Sequence, residues 1–154
     1  MNKHSSIKEY IEDAIQKSRF AILATERNGQ PHTSLIAITP FGNFRQLIFA
    51  TYRNTLKYRN LVHNCKVTVL IESANINMKG LNESAVLTII GQAEEISIEE
   101  HEAAYQAHLK SHPEMESFML SSDCALILVI AQSYQVVKGV DDIRWITTEN
   151  LDSI

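Results

Sequence analysis

Thr51, Arg53, Thr55 and Lys57 crowd into one short stretch, FATYRNTLKYRNL (49–61), where an apolar strand end runs through a turn into a short helix. Hydroxyls, a guanidinium, an ammonium and the unpaired amides of a helix start together suit a phosphate dianion. The surrounding sequence strengthens the case. No Asp or Glu lies between Glu26 and Glu72, yet that interval holds Arg27, Arg45, Arg53, Lys57, Arg59 and Lys66. The whole chain has a formal net charge of −4, so the basic character is local. A local positive field that overrides net charge is what an anion site needs. A solvated basic helix face has the same composition, and spacing alone leaves the two readings level.

Three further constellations carry reactive side chains. His101, His108 and His112 fall at helical spacing and could share one face as a metal or haem surface. Against this, His112 precedes Pro113, which disfavours helical geometry, and no cysteine or carboxylate completes a ligand set. His32 and Ser34 alternate onto one strand face, but no strained elbow motif or orienting acid accompanies them. Trp145, the single tryptophan, fits core or interface burial better than ring stacking.

Hydrophobic periodicity outlines the scaffold around these residues. With 154 residues, 45% of them hydrophobic, the chain suffices for one domain, 1–154, with its own core. Ile7, Tyr10, Ile11, Ala14 and Ile15 mark an amphipathic N-terminal helix within 1–18, packed on the strands. RFAILATE (19–26), PHTSLIAIT (31–39) and FRQLIFAT (44–51) read as three strands of an antiparallel meander, joined by RNGQ and PFGN turns. A helix within 54–64 is expected to be capped by Asn54 or Thr55. Further strands are expected at 65–73, 85–97, 124–137 and around 143–147, with a loop at NMKGLNES (77–84) and a bulge or bend at Gly91. Ser97 and Glu100 have the spacing of a capping box for a helix running to about residue 110, and 114–120 is a further helical piece. Short turns between most strands point to a closed antiparallel barrel, mainly β with peripheral helices.

Several function classes are disfavoured. An acidic chain argues against nucleic acid as the main partner. The longest apolar run, CALILVIA (124–131), is too short to cross a bilayer, and the first residues lack an apolar signal region, so a cytoplasmic location is expected. Cys65 and Cys124 form no CxxC and are expected to be reduced thiols.

AILATERNGQPHTSLI, LIFATYRNTLKYRNLVHNCKVTVLI and VLTIIGQAEEIS together resemble the pyridoxamine 5′-phosphate oxidase-like family of FMN-binding split β-barrels. The middle block is the most specific: a strand ending in Thr, a turn, a hydroxyl residue, a Lys two later and an Asn-Leu. The C-terminal YQVVKGVDDIRW more faintly resembles the haem-utilisation branch of the same fold.

The resemblance implies an antiparallel split β-barrel that pairs as a homodimer, with FMN at the subunit interface. Carried over by position, Thr51, Arg53, Thr55 and Lys57 would contact the phosphate, and the backbone of Ser34, Leu35 and Ile36 would line the isoalloxazine ring. The flavin would supply the redox chemistry, passing electrons between a reduced nicotinamide and a small-molecule acceptor. No catalytic side chain is implied. The alternatives are a haem-binding or haem-degrading protein, a non-catalytic flavin carrier or sensor, and a deazaflavin in place of FMN. Departures exclude the prototype's substrate: Leu56 precedes Lys57 where an arginine is usual, and Ser34 replaces an FMN-contacting arginine. Val86 replaces a flavin-contacting glutamine, and IRWITTENLDSI lacks the prototype's arginine–histidine pair.

Overall fold

A computed structural model describes residues 3–73, 85–139 and 141–154. Helix α1 (Lys3–Lys17) buries Ile7, Ile11, Ala14 and Ile15 against the sheet, the stripe expected from their spacing. Strands β1 (Phe20–Arg27) and β2 (Gln30–Ala37) form a hairpin. Its turn places Asn28 at φ 53° and Gly29 at φ 82°, the left-handed pair that an Asn-Gly step favours. Next come β3 (Thr39–Phe41), β4 (Gln46–Tyr52), α2 (Leu56–His63), β5 (Lys66–Ser73) and β6 (Ala85–Ile96). The C-terminal part holds α3 (Glu102–Ser111), a short turn of 3-10 helix at Pro113–Met115, α4 (Glu116–Met119), β7 (Cys124–Gly139), β8 (Asp142–Thr147) and α5 (Thr148–Asp152).

All described strand pairings are antiparallel, in the order β2-β1-β5-β6-β7-β4-β3. Strand β7 organises the sheet. Along one edge it pairs with β6; along the other its first half meets β4 and its second half meets β8. The two ends of the strand path, β2 and β3, are separated in the chain by Ile38 alone. The sheet must therefore curl until its ends approach, and it closes as a split barrel through that one-residue seam. At the seam Ile38 N–H donates to Arg19 O at 3.0 Å, and its side chain is buried.

This topology corrects the expected meander. The segment 31–39 is not one strand, and the third strand pairs with β3 and β7 rather than with β2. Ile38 has the apolar character of a strand residue because it fills the core, so hydrophobic alternation runs straight through the break. The expected loop at 77–84 lies outside the described residues.

The barrel interior is filled from alternate positions, among them Leu23, Phe49, Val69, Leu87, Ile89 and Ile127, with Leu61 entering from α2. Each such side chain contributes about 1.5–3 kcal/mol on burial. A second apolar layer lies outside the barrel wall, where Ile48, Ile96, Leu126 and Leu128 pack on Ala104 of α3 and Met119 of α4. The first half of β7 is buried on both faces, which explains why CALILVIA shows no alternation.

Gly91 sits where the β6–β7 register shifts, as its sequence context suggests. A Cβ there would lie 2.2 Å from Ile130 O, so the backbones approach too closely for any other residue. The expected capping box forms only in part. Ser97 Oγ accepts Glu100 N–H at 3.4 Å, but this closes a turn, and α3 begins at Glu102 after an N-terminal His101 that makes no side-chain cap. Glu99, rather than Glu100, takes the Ser97 hydroxyl, at 2.9 Å.

Candidate functional site

Helix α2 begins where β4 leaves the barrel. Thr55 is its N-cap: the side chain accepts Tyr58 N–H at 3.3 Å, one of the two caps expected. Thr51, at the end of β4, points into the barrel and is 2% exposed. Its hydroxyl lies 3.0 Å from Thr55 Oγ1, and the Thr55 hydroxyl donates to Tyr52 O at 2.8 Å. The two threonines thus set the angle at which α2 starts. The turn between them is pinned to the residue before β7 by Arg53 N–H donating to Asp123 O at 3.0 Å.

Lys57 lies in the first turn of α2 and three residues before Asn60, so both side chains share the buried face of the helix. The ammonium makes no hydrogen bond or ion pair among the described residues, and burial alone pushes its pKa below the usual lysine range. The other cations of the acid-free interval are differently placed. Arg45 pairs with Asp152 at 2.6 Å and with Glu12 at 3.2 Å, joining α1, α5 and the start of β4. Arg59 donates to Asn54 O at 2.9 Å. Arg53 is held by Glu95 of β6, Nε to Oε1 at 3.1 Å, and by Ser122 O, which accepts from Nη1 at 3.0 Å. Carboxylates distant in sequence therefore neutralise much of the field, and Lys57 is the half-buried cation they leave unpaired.

Beside Lys57 the contact between α2 and the first hairpin holds several polar groups. Asn60 Nδ2 donates to Thr25 Oγ1 at 3.1 Å, and Thr25 lies opposite His32 in the β1–β2 register. Asn60 Oδ1, His32 Nδ1 and Ser34 Oγ are buried with no hydrogen-bond partner. Unsatisfied buried polar atoms are costly and mark places where water or a ligand completes the bonding. At the other end of the helix, Glu26 accepts Asn64 Nδ2–H at 2.6 Å and Gly29 N–H. These bonds hold its pKa below the usual carboxylate range, with the Gly29 amide the largest cause.

Strand β2 presents its residues alternately. Ser34 and Ile36 face inward, while Leu35 faces outward and is 69% exposed. As an end strand of the hydrogen-bonded path, β2 keeps one backbone edge without a ladder partner. Outside the wall, register places Leu35, Ile22, Leu70, Thr88, Gln135 and Trp145 in one row that starts on β2 and ends on β8. Both ends of this row are open to solvent, Trp145 at 60% exposure.

The α3 histidines do not form the surface expected of a metal or haem site. His108 and His112 are fully buried. His108 Nδ1 is 2.8 Å from Thr39 Oγ1, and His112 Nε2–H donates to Ile38 O at 2.8 Å. Both rings therefore bind α3 to the seam, while His101 stays at the surface with Nδ1–H donating to Ser97 O at 3.0 Å. Helix packing against Ile38 and Thr39 turns what spacing presents as one face into a buried pair and a separate surface residue.

The sequence resemblance named the hydroxyl and basic residues of the β4–α2 turn. It did not identify Glu95 or His32 as their companions, because those residues come from β6 and β2, distant in the sequence.

Comparison with known proteins agrees with this architecture. No curated protein matches the chain closely enough to count as a relative. A haem-binding protein from Mycobacterium smegmatis superimposes with a TM-score of 0.83 at 22% identity, covering 95% of this chain, which spans 60% of that protein's length. A Clostridium acetobutylicum protein related to general stress protein 26, of the pyridoxinephosphate oxidase family, gives 0.72 at 12% identity, covering 94% of this chain and 98% of the other. An FAD-binding protein from Mesorhizobium loti gives 0.70 at 11% identity, covering 83% and 91%. The model of the pyridoxamine 5′-phosphate oxidase family matches residues 7–136, and the chain belongs to that family.

Proposed function

We propose that this protein is an FMN-binding oxidoreductase that works as a homodimer and passes electrons from a reduced nicotinamide to a small-molecule acceptor. The observation that carries the reading is Lys57, a half-buried ammonium in the first turn of a capped helix with no anionic partner among the described residues. Burying an unpaired charge is costly, and an arriving phosphate would remove that cost. The amides at the start of α2 would complete the phosphate's hydrogen bonds, joined by the Thr55 hydroxyl if it turns from Tyr52 O to the phosphate. The orphaned atoms of His32, Ser34 and Asn60 suit a ligand rich in hydroxyls and carbonyls, as a flavin nucleotide is. The flavin, when bound, supplies hydride and electron transfer; the chain's own groups bind and orient it.

The uncharged row from Leu35 to Trp145 supports pairing with a second copy, because it exposes Leu35, Ile22 and Trp145 on a sheet whose end strand is open. A cofactor lodged beside β2 would then be walled by both copies.

The haem alternative draws support from the similar fold of the Mycobacterium smegmatis haem-binding protein. The α3 histidines that first suggested it are spent on the seam, apart from His101. The absorbance spectrum of purified protein, before and after adding FMN, tests both readings. Flavin bands retained through gel filtration support the proposal. A Soret band with no flavin uptake overturns it in favour of haem. Oxidation of NADH or NADPH by the flavin-loaded protein separates an enzyme from a carrier, and failure to take FMN while taking a deazaflavin would replace the cofactor.

A further inference from the structure

Arg53 stands in the turn just before the Thr55 cap, and Tyr58 stands one turn into α2. Between them sits a carboxylate from another strand. Glu95 Oε1 accepts from Tyr58 Oη at 2.8 Å and from Arg53 Nε at 3.1 Å, and Glu95 Oε2 lies 3.4 Å from Arg53 Nη2. The fork of the guanidinium thus closes on two oxygens, the geometry it also uses for phosphate. The third nitrogen, Nη1, is held by Ser122 O at 3.0 Å, so the fork stays aimed at its anion.

We infer that Glu95 is a built-in competitor for the phosphate, an internal anion that occupies Arg53 until a ligand phosphate displaces it. The inference rests on the flavin-nucleotide reading and adds a selection rule to it. Lys57 is free to take the first phosphate oxygen, but Arg53 becomes available only when the incoming group attracts it more strongly than a carboxylate does. A dianionic phosphate meets that requirement; a neutral flavin without phosphate does not. Glu95 therefore lowers the site's affinity for every phosphorylated ligand and keeps anions too weak to displace it off Arg53. Tyr58, which loses its partner when Glu95 swings away, can then donate its hydroxyl to the newcomer. The swap is feasible because both side chains of the pair are partly exposed, about 40% for Arg53 and 34% for Glu95. An exposed ion pair of this kind is worth little by itself, so displacing it needs only a modest gain.

The test uses the Glu95→Gln and Glu95→Ala variants of the full chain, titrated with FMN, with riboflavin and with inorganic phosphate. Both variants are expected to bind FMN about five- to tenfold more tightly than the parent and to bind riboflavin unchanged. Inorganic phosphate is expected to raise the melting temperature of both variants at concentrations that leave the parent unmoved. Equal or weaker FMN binding by both variants would overturn the inference and make Glu95 a strut that positions Arg53. If neither parent nor variants take FMN, the flavin reading fails and phosphate decides alone. A thermal response confined to the variants then upholds the competitor role, and the same response in parent and variants, or none, rejects it.

Discussion

His108 Nδ1 lies 2.8 Å from the Thr39 hydroxyl, and both side chains are buried at the seam where β2 passes into β3. The ring is neutral there. Burial, and secondly the neighbouring His112, push its pKa down to about 4 from 6.5, with Glu114 opposing weakly. His112 in turn lies within 3.4 Å of Arg19 Nη2 and 3.5 Å of Glu114, the charged groups that close this end of α3. Between pH 6.5 and about 4 the unfolded chain takes up a proton at His108 that the folded chain refuses. Stability from this site is therefore full above pH 6.5 and falls as the pH drops towards 4, by on the order of 3 kcal/mol. Urea unfolding of the parent and of His108→Gln at pH 7 and pH 5 checks this. The parent should lose more stability between the two pH values than the variant; an equal loss would place the acid sensitivity elsewhere.

Gly91→Ala should destabilise the barrel by roughly 2–4 kcal/mol, since the new methyl would meet the Ile130 carbonyl at the β6–β7 bulge. This join links the half of the sheet carrying β1 and β2 to the half carrying β4. Thermal melts of the variant should show a clearly lower midpoint, and an unchanged one would mean that β7 yields at Ile130 without cost.

How much of the molecule was legible beforehand depended on whether a feature is local. The Asn28–Gly29 turn, the Thr55 cap, the α1 stripe and the Gly91 bulge each follow from a few consecutive residues and appear where expected. The seam at Ile38 was hidden because a core residue between two strands looks like a strand residue. The acid-free interval is a true property of the sequence, yet folding brings Glu95, Asp152 and Glu12 onto its arginines. Charge patterning along a chain cannot register partners that lie dozens of residues away. Lys57 and Arg53 therefore looked equivalent, although Arg53 is paired and Lys57 is not. The histidine spacing on α3 offered a shared face that Pro113 already spoke against: His112 ends the helix, and tertiary packing decides which rings face the core.

If the outer row from Leu35 to Trp145 is the pairing face, Leu35→Glu should convert a dimer to a monomer while leaving the fold intact. Leu35 points away from the core and is 69% exposed, so the substitution removes little internal packing. A charge buried opposite its own symmetry mate would repel it and lose hydration. Sedimentation or light scattering would report the mass, and circular dichroism the fold. A parent that is already monomeric at micromolar concentration, or a variant that remains dimeric, would move the interface off this face.

Lys57→Ala should weaken FMN binding by on the order of 1.5–3 kcal/mol, roughly ten- to a hundredfold, the loss expected for one charge-assisted contact. Lys110→Ala, a cation in the last turn of α3, is the matched control and should leave the affinity unchanged. Because Lys57 has no partner among the described residues, its removal breaks no ion pair there and relieves a desolvated charge. The variant should therefore be at least as stable as the parent without ligand and less stabilised by FMN. That opposite movement of stability and affinity is what distinguishes a binding residue from a structural one. Isothermal titration together with thermal melts, with and without FMN, measures both quantities. Equal FMN affinity in the two lysine variants would show that the phosphate does not sit at the start of α2.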